Sequence, residues 1–274
     1  MKIELAQNYG FCFGVKRAIR IAQNTKNAAT IGELIHNNEE IKRLKERYGV
    51  KTLNSIDELK DEKRVIIRTH GIAKSDYERL KFEGKEIFDA TCPFVTKPQQ
   101  IVEEMSSEGY DVVIFGDEDH PEVKGVKSYA KGKVYVTTDP ATLDGVKFGK
   151  VALISQTTKK IENFEVLVGY LLRRAKEVRV FNTICNATSQ NQKAITELSQ
   201  RADVMIVVGG KNSSNTKQLF LISKQFCKDS YHIENELELK KEWFIGKNLC
   251  GISAGASTPD WIIQKVIKQI ESFV

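Results

Sequence analysis

The sequence predicts an α/β fold with mostly parallel sheets. Short apolar, β-branched runs alternate with helix-like segments from end to end of the 274 residues, the order expected of strands joined by crossover helices. Several runs are almost continuously hydrophobic, as in Val204-Met205-Ile206-Val207-Val208, which is how strands covered on both faces read. Residues capable of chemistry also gather just past the ends of these runs, where open α/β sheets hold their ligands.

Taken in order, residues 2–6 form the first strand candidate, and Val15, Ala18, Ile19 and Ala22 then repeat at helical spacing behind Gly14. The run 64–69 is a second strand. Ser75 and Glu78 have the spacing of a capping box, and Gly84 is placed to end that helix. Further strands are expected at 86–90, 111–115, 133–136, 151–155, 178–183, 203–208 and 249–253. Thr258-Pro259-Asp260 reads as N-cap, first-turn proline and first-turn acid of a last helix, with Ile262, Val266 and Ile270 on one face.

Composition is that of an ordinary globular protein: 41% hydrophobic and 28% charged. The net charge of +6 comes from Lys and Arg interspersed with Glu and Asp, without a basic block or nucleic-acid motif, so a solvated surface is expected and no nucleic-acid partner. No apolar run approaches the length needed to cross a bilayer, so no membrane partner is expected. Met1-Lys2-Ile3-Glu4-Leu5 lacks the basic-then-apolar pattern of a secretory leader, which points to the cytoplasm. Five cysteines in such a chain suit metal or catalytic roles better than a disulfide framework.

The positions of the reactive residues carry most information. Cys12 follows the first strand inside Gly10-Phe11-Cys12-Phe13-Gly14, His70 follows 64–69, and Cys92 follows 86–90. His120 and Glu122 follow 111–115, Thr157 follows 151–155, and Cys185 follows 178–183. Ser213-Ser214-Asn215 follows 203–208, and Ser257 follows 249–253.

A lone cysteine in an α/β chain is commonly a small buried hydrophobe. Cys227, inside a helix-like run, and Cys250, inside a strand, fit that reading. Cys12, Cys92 and Cys185 sit at strand ends and do not. Their wide separation, without a Cys-x-x-Cys pair, suits a cubane cluster with one open iron, and zinc remains the competing occupant. His232 lies in a Tyr-His-Ile run and reads as a packing or surface residue. His36, His70 and His120, with Ser213, Ser214, Asn215 and Ser257, offer neutral donors suited to a diphosphate, with helix N-termini adding backbone N–H groups. The same serines also fit plain helix caps, and Glu122 fits a first-turn carboxylate facing a helix dipole.

Taken together, these motifs resemble the family of 4-hydroxy-3-methylbut-2-enyl diphosphate reductases. The resemblance runs through Gly10-Phe11-Cys12-Phe13-Gly14-Val15, His36-Asn37, His70-Gly71, Asp89-Ala90-Thr91-Cys92-Pro93 and His120-Pro121-Glu122-Val123. It continues in Ser155-Gln156-Thr157-Thr158, Thr183-Ile184-Cys185-Asn186-Ala187-Thr188, Gly209-Gly210, Ser213-Ser214-Asn215-Thr216 and Ala254-Gly255-Ala256-Ser257-Thr258-Pro259. One departure is Asn191-Gln192, where the family pattern suggests Arg-Gln.

The resemblance implies a trefoil of three α/β units around a central site. Cys92 lies 80 residues after Cys12, and Cys185 lies 93 after Cys92, about one small unit each. The expected units are 13–92, 93–185, and 186–274 completed by 1–12. It further implies a 4Fe–4S cluster on Cys12, Cys92 and Cys185, with Glu122 as proton source and Thr157 orienting it. His36, His70, His120, Ser213, Ser214, Asn215 and Ser257 would hold the diphosphate. The reaction implied is reductive dehydroxylation of (E)-4-hydroxy-3-methylbut-2-enyl diphosphate to isopentenyl and dimethylallyl diphosphates at the open iron, with electrons from a ferredoxin- or flavodoxin-type donor. The rival readings are a zinc-dependent phosphohydrolase, disfavoured by the lack of a His-Glu-x-x-His run, and a non-catalytic iron–sulfur carrier or sensor, which has no need of so many polar strand-end residues.

Overall fold

The alternating elements assemble into three four-stranded sheets in which every strand is parallel to its neighbours. The computed structural model describes residues 1–273. The chain opens with β1 (Lys2–Leu5) and α1 (Phe13–Asn24), then β2 (Ala29–Ile31), α2 (Asn38–Tyr48), β3 (Lys51–Leu53), β4 (Arg64–Ile67), α3 (Lys74–Phe82) and β5 (Glu86–Asp89). It continues through α4 (Pro93–Ser107), β6 (Asp111–Phe115), α5 (Pro121–Lys127), β7 (Val134–Thr137), β8 (Phe148–Ser155), α6 (Ile161–Leu172) and β9 (Ala175–Val180). The last stretch holds α7 (Asn186–Ser199), β10 (Val204–Val208), α8 (Ser214–Phe226), β11 (Ser230–Ile233), β12 (Leu249–Ala254) and α9 (Asp260–Glu271). Among the described residues no helix is long and apolar enough to cross a membrane.

The three sheets share one strand order. They run β3-β2-β4-β5, β7-β6-β8-β9 and β11-β10-β12-β1, so the first strand of each set is internal, the second takes one edge, and the fourth takes the other. In the third sheet the fourth strand is β1, supplied from the start of the chain. This order reverses between the first and third strands, and the crevice outside their carboxyl ends is where such folds bind ligands.

The apolar runs form strands because alternate residues each find a covered face. In β10, Val204, Ile206 and Val208 pack with Ile262, Val266 and Ile270 of α9, whereas Met205 and Val207 pack with Ile195, Leu198 and Leu219 of α7 and α8. In β6, Val112 and Ile114 face Val102, Met105 and Val126, and Val113 and Phe115 face Phe164, Leu167 and Leu171. Each such side chain removed from water contributes about 1.5–3 kcal/mol.

Two expected caps are made differently. The helix near Ser75 is capped by the backbone of Ala73, without a side-chain bond, although Gly84 does follow its end at φ +65°. Thr258 is not the N-cap of α9; Pro259 is, and the Thr258 hydroxyl reaches across to the Val208 carbonyl at 3.0 Å.

The chain divides into two compact units. One comprises 1–16, 35–43 and the chain from Asn186 onward, with the third sheet; the other comprises 17–34 and 44–185, with the first two sheets. The segment carrying His36 is thus packed with the third sheet. Inside that unit the Ser257 hydroxyl donates to the His36 carbonyl at 2.9 Å, and the Trp261 indole donates to Glu40 at 3.1 Å. Glu40 is fully buried and also accepts from Arg43 Nε at 2.8 Å.

Candidate active site

The shared strand order sorts the candidate residues into two sets. Every residue expected at the substrate lies beyond a first or third strand: His36 and His70 beyond β2 and β4, His120–Glu122 and Thr157 beyond β6 and β8, and Ser213–Asn215 and Ser257 beyond β10 and β12. Each of the three strand-end cysteines lies beyond a fourth, edge strand: Cys92 after β5, Cys185 after β9 and Cys12 after β1. Each also immediately precedes a helix, α4, α7 or α1, whose first turn favours an anionic group.

The cysteines divide by environment as well. Cys12, Cys92 and Cys185 are half-buried and outside any disulfide, whereas Cys227 and Cys250 are buried. Burial pushes the Cys227 thiol up and that of Cys250 up to about 12. Thiols held protonated are poor ligands, because the thiolate is the binding form.

In the unit holding the second sheet, Glu122 is the second residue of α5 and is 2% exposed. Its Oε1 accepts the Thr157 backbone N–H at 2.7 Å, and its Oε2 lies 2.6 Å from the Thr157 hydroxyl. Burial raises its pKa above the usual carboxylate range, against the opposing pull of the two Thr157 hydrogen bonds and Lys159. The Thr157 hydroxyl donates to Oε2 as its N–H does to Oε1, so both carboxylate oxygens accept from this one residue. Thr157 is in turn bonded to the cysteine turn: its carbonyl accepts the Cys185 N–H at 3.0 Å.

His120 caps α5, its Nδ1 accepting from the Glu122 N–H at 3.2 Å. The His70 ring meets the His120 ring edge-on, with centroids 5.6 Å apart. Gly71, at φ +73°, turns the chain after His70, and its missing Cβ leaves room for the Gln99 amide. Lys159, 7% exposed, pairs with Asp117 at 2.6 Å, and the Asp117 N–H donates to Gln156 at 2.9 Å, which fixes the floor on either side of Thr157.

In the other unit, Cys12 follows Gly10, at φ +70°; its N–H donates to Ala256 at 3.2 Å and its carbonyl accepts from Lys16 at 2.9 Å. Ser213 is the N-cap of α8, its hydroxyl accepting from the Thr216 N–H at 3.3 Å. Ser214 opens the helix, half-buried. Asn215 is 5% exposed, and both ends of its amide are buried without a hydrogen-bond partner among the described residues. The hydroxyls of Thr216 and Ser253 share that condition. Buried polar groups are rarely left so; Asn215 and Thr216 lie in the first turn of α8, and Ser253 lies in β12. Gly210 permits the close approach of His36, whose carbonyl would lie 2.6 Å from any Cβ there. His232 is engaged in structure, its Nε2 lying 2.8 Å from the Gly209 carbonyl.

Lys159, Thr216 and Ser253 escape a reading of the sequence, because each is marked by burial or by a partner distant in the chain. Only Thr216 carried a local signal, as part of Ser213-Ser214-Asn215-Thr216. Asn191, where the family pattern has a basic residue, is 5% exposed within α7.

Comparison with known proteins gives a consistent result. The model of the family described as LytB protein matches residues 3–271. The 4-hydroxy-3-methylbut-2-enyl diphosphate reductase of Campylobacter curvus is 71% identical over 274 residues, covering 100% of both chains. The protein of that name from Campylobacter jejuni subsp. jejuni is 67% identical, covering 100% of this chain and 99% of its own. A solved structure of (E)-4-hydroxy-3-methyl-but-2-enyl diphosphate reductase, described as the terminal enzyme of the non-mevalonate pathway, is similar at TM-score 0.73 and 42% identity, covering 99% of this chain and 100% of that one. The E-1-hydroxy-2-methyl-but-2-enyl-4-diphosphate reductase from Plasmodium falciparum is similar at TM-score 0.90 and 26% identity, over 97% and 86% of the respective chains.

Proposed function

The chain belongs to the LytB family, and from that membership and its own site chemistry we propose that it converts (E)-4-hydroxy-3-methylbut-2-enyl diphosphate into isopentenyl and dimethylallyl diphosphates. The balance of the reaction is two electrons and two protons in, one C–O bond broken, one C–H bond formed and one water released. The observation that carries the proposal is the Glu122–Thr157–Cys185 chain, which ties a buried carboxyl, its pKa raised by burial, to a strand-end cysteine through a single residue.

Cys12, Cys92 and Cys185 would hold a 4Fe–4S cluster. Their donor set fits it: three accessible thiols at equivalent strand ends, each heading a helix, set apart from two sealed ones. Such a cluster, when bound, supplies electrons one at a time and a Lewis-acidic iron for the substrate hydroxyl. A one-electron carrier of the ferredoxin or flavodoxin type would recharge it.

The remaining work falls to this chain's side chains. Asn215, Ser213, Ser214 and the first turn of α8 would bind the diphosphate, with His36, His70 and His120 as further donors. Ser257 would act partly through His36, since its hydroxyl proton is directed at the His36 carbonyl. Glu122 would hold a proton and release it through the Thr157 hydroxyl. Burial of Glu122, Thr157 and Lys159 excludes water from that relay. A zinc hydrolase would use the histidines, Glu122 and Asp117 or Asp119 as ligands, whereas Glu122 is bonded to Thr157 and Asp117 is paired with Lys159.

The test is anaerobic purification followed by iron, sulfide and zinc analysis, visible spectroscopy, and assay with the hydroxylated allylic diphosphate and a one-electron reductant. Brown protein yielding both isomeric diphosphates is expected. Colourless, zinc-loaded protein that releases phosphate from the substrate would overturn the proposal.

A further inference from the structure

Arg17, in the second turn of α1, sends its guanidinium to two main-chain carbonyls far along the chain. Nη2 donates to Asp89 O at 2.9 Å and Nη1 to Thr91 O at 3.1 Å. Neither acceptor is a carboxylate, so ion pairing does not account for the placement. The topology does. β5 is an edge strand, and its inner side continues the sheet past the strand end, with Ala90 N–H donating to Ile67 O at 3.0 Å and Cys92 N–H to Thr69 O at 3.0 Å. Residues two apart on an extended chain point their carbonyls the same way, and those of Asp89 and Thr91 face the side where no further strand lies. The planar fork of Arg17 bridges both, as a neighbouring strand would.

The turn is locked from other directions too. The Asp89 carboxylate accepts the Thr91 N–H at 2.8 Å, and the Cys92 carbonyl accepts from Val95 at 2.7 Å and from Thr96 at 3.0 Å as α4 begins. Cys92 therefore has its N–H fixed by the sheet and its carbonyl fixed by the helix, while Arg17 holds Thr91, next to it, and Asp89, three residues before it. A lysine in place of Arg17 would keep the charge and lose the two-pronged geometry.

We propose that Arg17 is the positioning residue for Cys92, clamping the outer edge of the 89–91 turn so that the thiol is presented in one fixed direction to the iron–sulfur cluster. The proposal rests on the cluster reading above. Groups that orient a ligand from behind typically change metal affinity about 10- to 100-fold when removed.

The test uses the full chain as wild type, R17A, R17K and R20A, the last an exposed arginine of the same helix. After anaerobic reconstitution with iron and sulfide, iron loss to excess chelator is followed by absorbance. R17A and R17K are expected to lose iron about tenfold faster than wild type or more, and R20A at the wild-type rate. In metal-free protein, alkylation of Cys92 relative to Cys185 in the same molecule, read by peptide mass spectrometry, should change several-fold in both Arg17 variants. The proposal is overturned if R17K holds its iron and its alkylation ratio at wild-type values. Should R17A fail to fold, R17K decides alone. Wild-type protein that takes up no iron would instead sink the cluster reading, and the alkylation ratio would still decide the role of Arg17.

Discussion

Thr157 holds Glu122 by both carboxylate oxygens, N–H to Oε1 at 2.7 Å and hydroxyl beside Oε2 at 2.6 Å. One residue thus fixes the orientation of a buried acid and lowers the pKa that burial raises. These two effects separate in variants.

Glu122→Gln keeps the shape, the acceptor for the Thr157 N–H and a polar partner for the hydroxyl, and removes the titrating proton. Turnover is expected to fall about 100-fold or more, the scale of general acid catalysis, with iron content and diphosphate affinity near wild type. Loss of iron in this variant would mean that Glu122 is a ligand and not an acid.

The same substitution should change stability with pH. A carboxyl whose folded pKa lies above its unfolded value favours folding below the unfolded pKa, and that contribution is lost as pH rises through the folded pKa. Wild type should therefore lose melting temperature between the ordinary carboxylate pKa and the raised one. Glu122→Gln should flatten that decline and melt higher than wild type on its alkaline side. Parallel melting curves for the two proteins across this range would show that Glu122 is not shifted.

Thr157→Val removes the hydroxyl while the backbone N–H still reaches Oε1. One interaction that lowers the Glu122 pKa disappears, so the basic limb of the rate profile should move to higher pH. The maximum rate should fall as well, because the relay atom is gone. An unmoved basic limb with an unchanged maximum would place the proton path elsewhere.

How far these features were readable in advance depends on how local their signals are. Cys12, Cys92, Cys185, Glu122 and Thr157 stood out because each follows a strand long or apolar enough to be recognised. β2 and β3 have only three residues each, and β11 reads Ser-Tyr-His-Ile, so all three escaped. With them went the shared strand order, which is what separates the substrate residues from the cysteines. Thr258 looked like a cap because its sequence neighbours suit one, yet its hydroxyl answers to Val208, fifty residues away. Arg17 was invisible for the same reason, its acceptors lying 72 and 74 residues along.

The cysteine assignment predicts an all-or-none contrast. Cys12→Ser, Cys92→Ser and Cys185→Ser should each lose or cripple the cluster, seen as bleaching and reduced iron. Cys227→Ala and Cys250→Ala should keep colour and turnover, at a stability cost of about 1 kcal/mol or more for the volume lost in a packed interior. Bleaching in the Cys250 variant would require redrawing the ligand set.

Asn215 offers a test in which binding and stability move in opposite directions. Its amide is buried with neither end hydrogen-bonded among the described residues, a desolvation cost of about 1–3 kcal/mol in the ligand-free protein. Leucine has nearly the same shape and none of that cost. Asn215→Leu should therefore melt at or above the wild-type temperature without substrate. Its Michaelis constant should rise by roughly 10- to 150-fold, the equivalent of one hydrogen bond to a charged group at about 1.5–3 kcal/mol. Inorganic diphosphate should raise the melting temperature of wild type and fail to raise that of the variant, because a ligand stabilises only the state that binds it. A variant that is less stable than wild type and binds diphosphate equally well would show that the amide is structural and that the anion lies elsewhere.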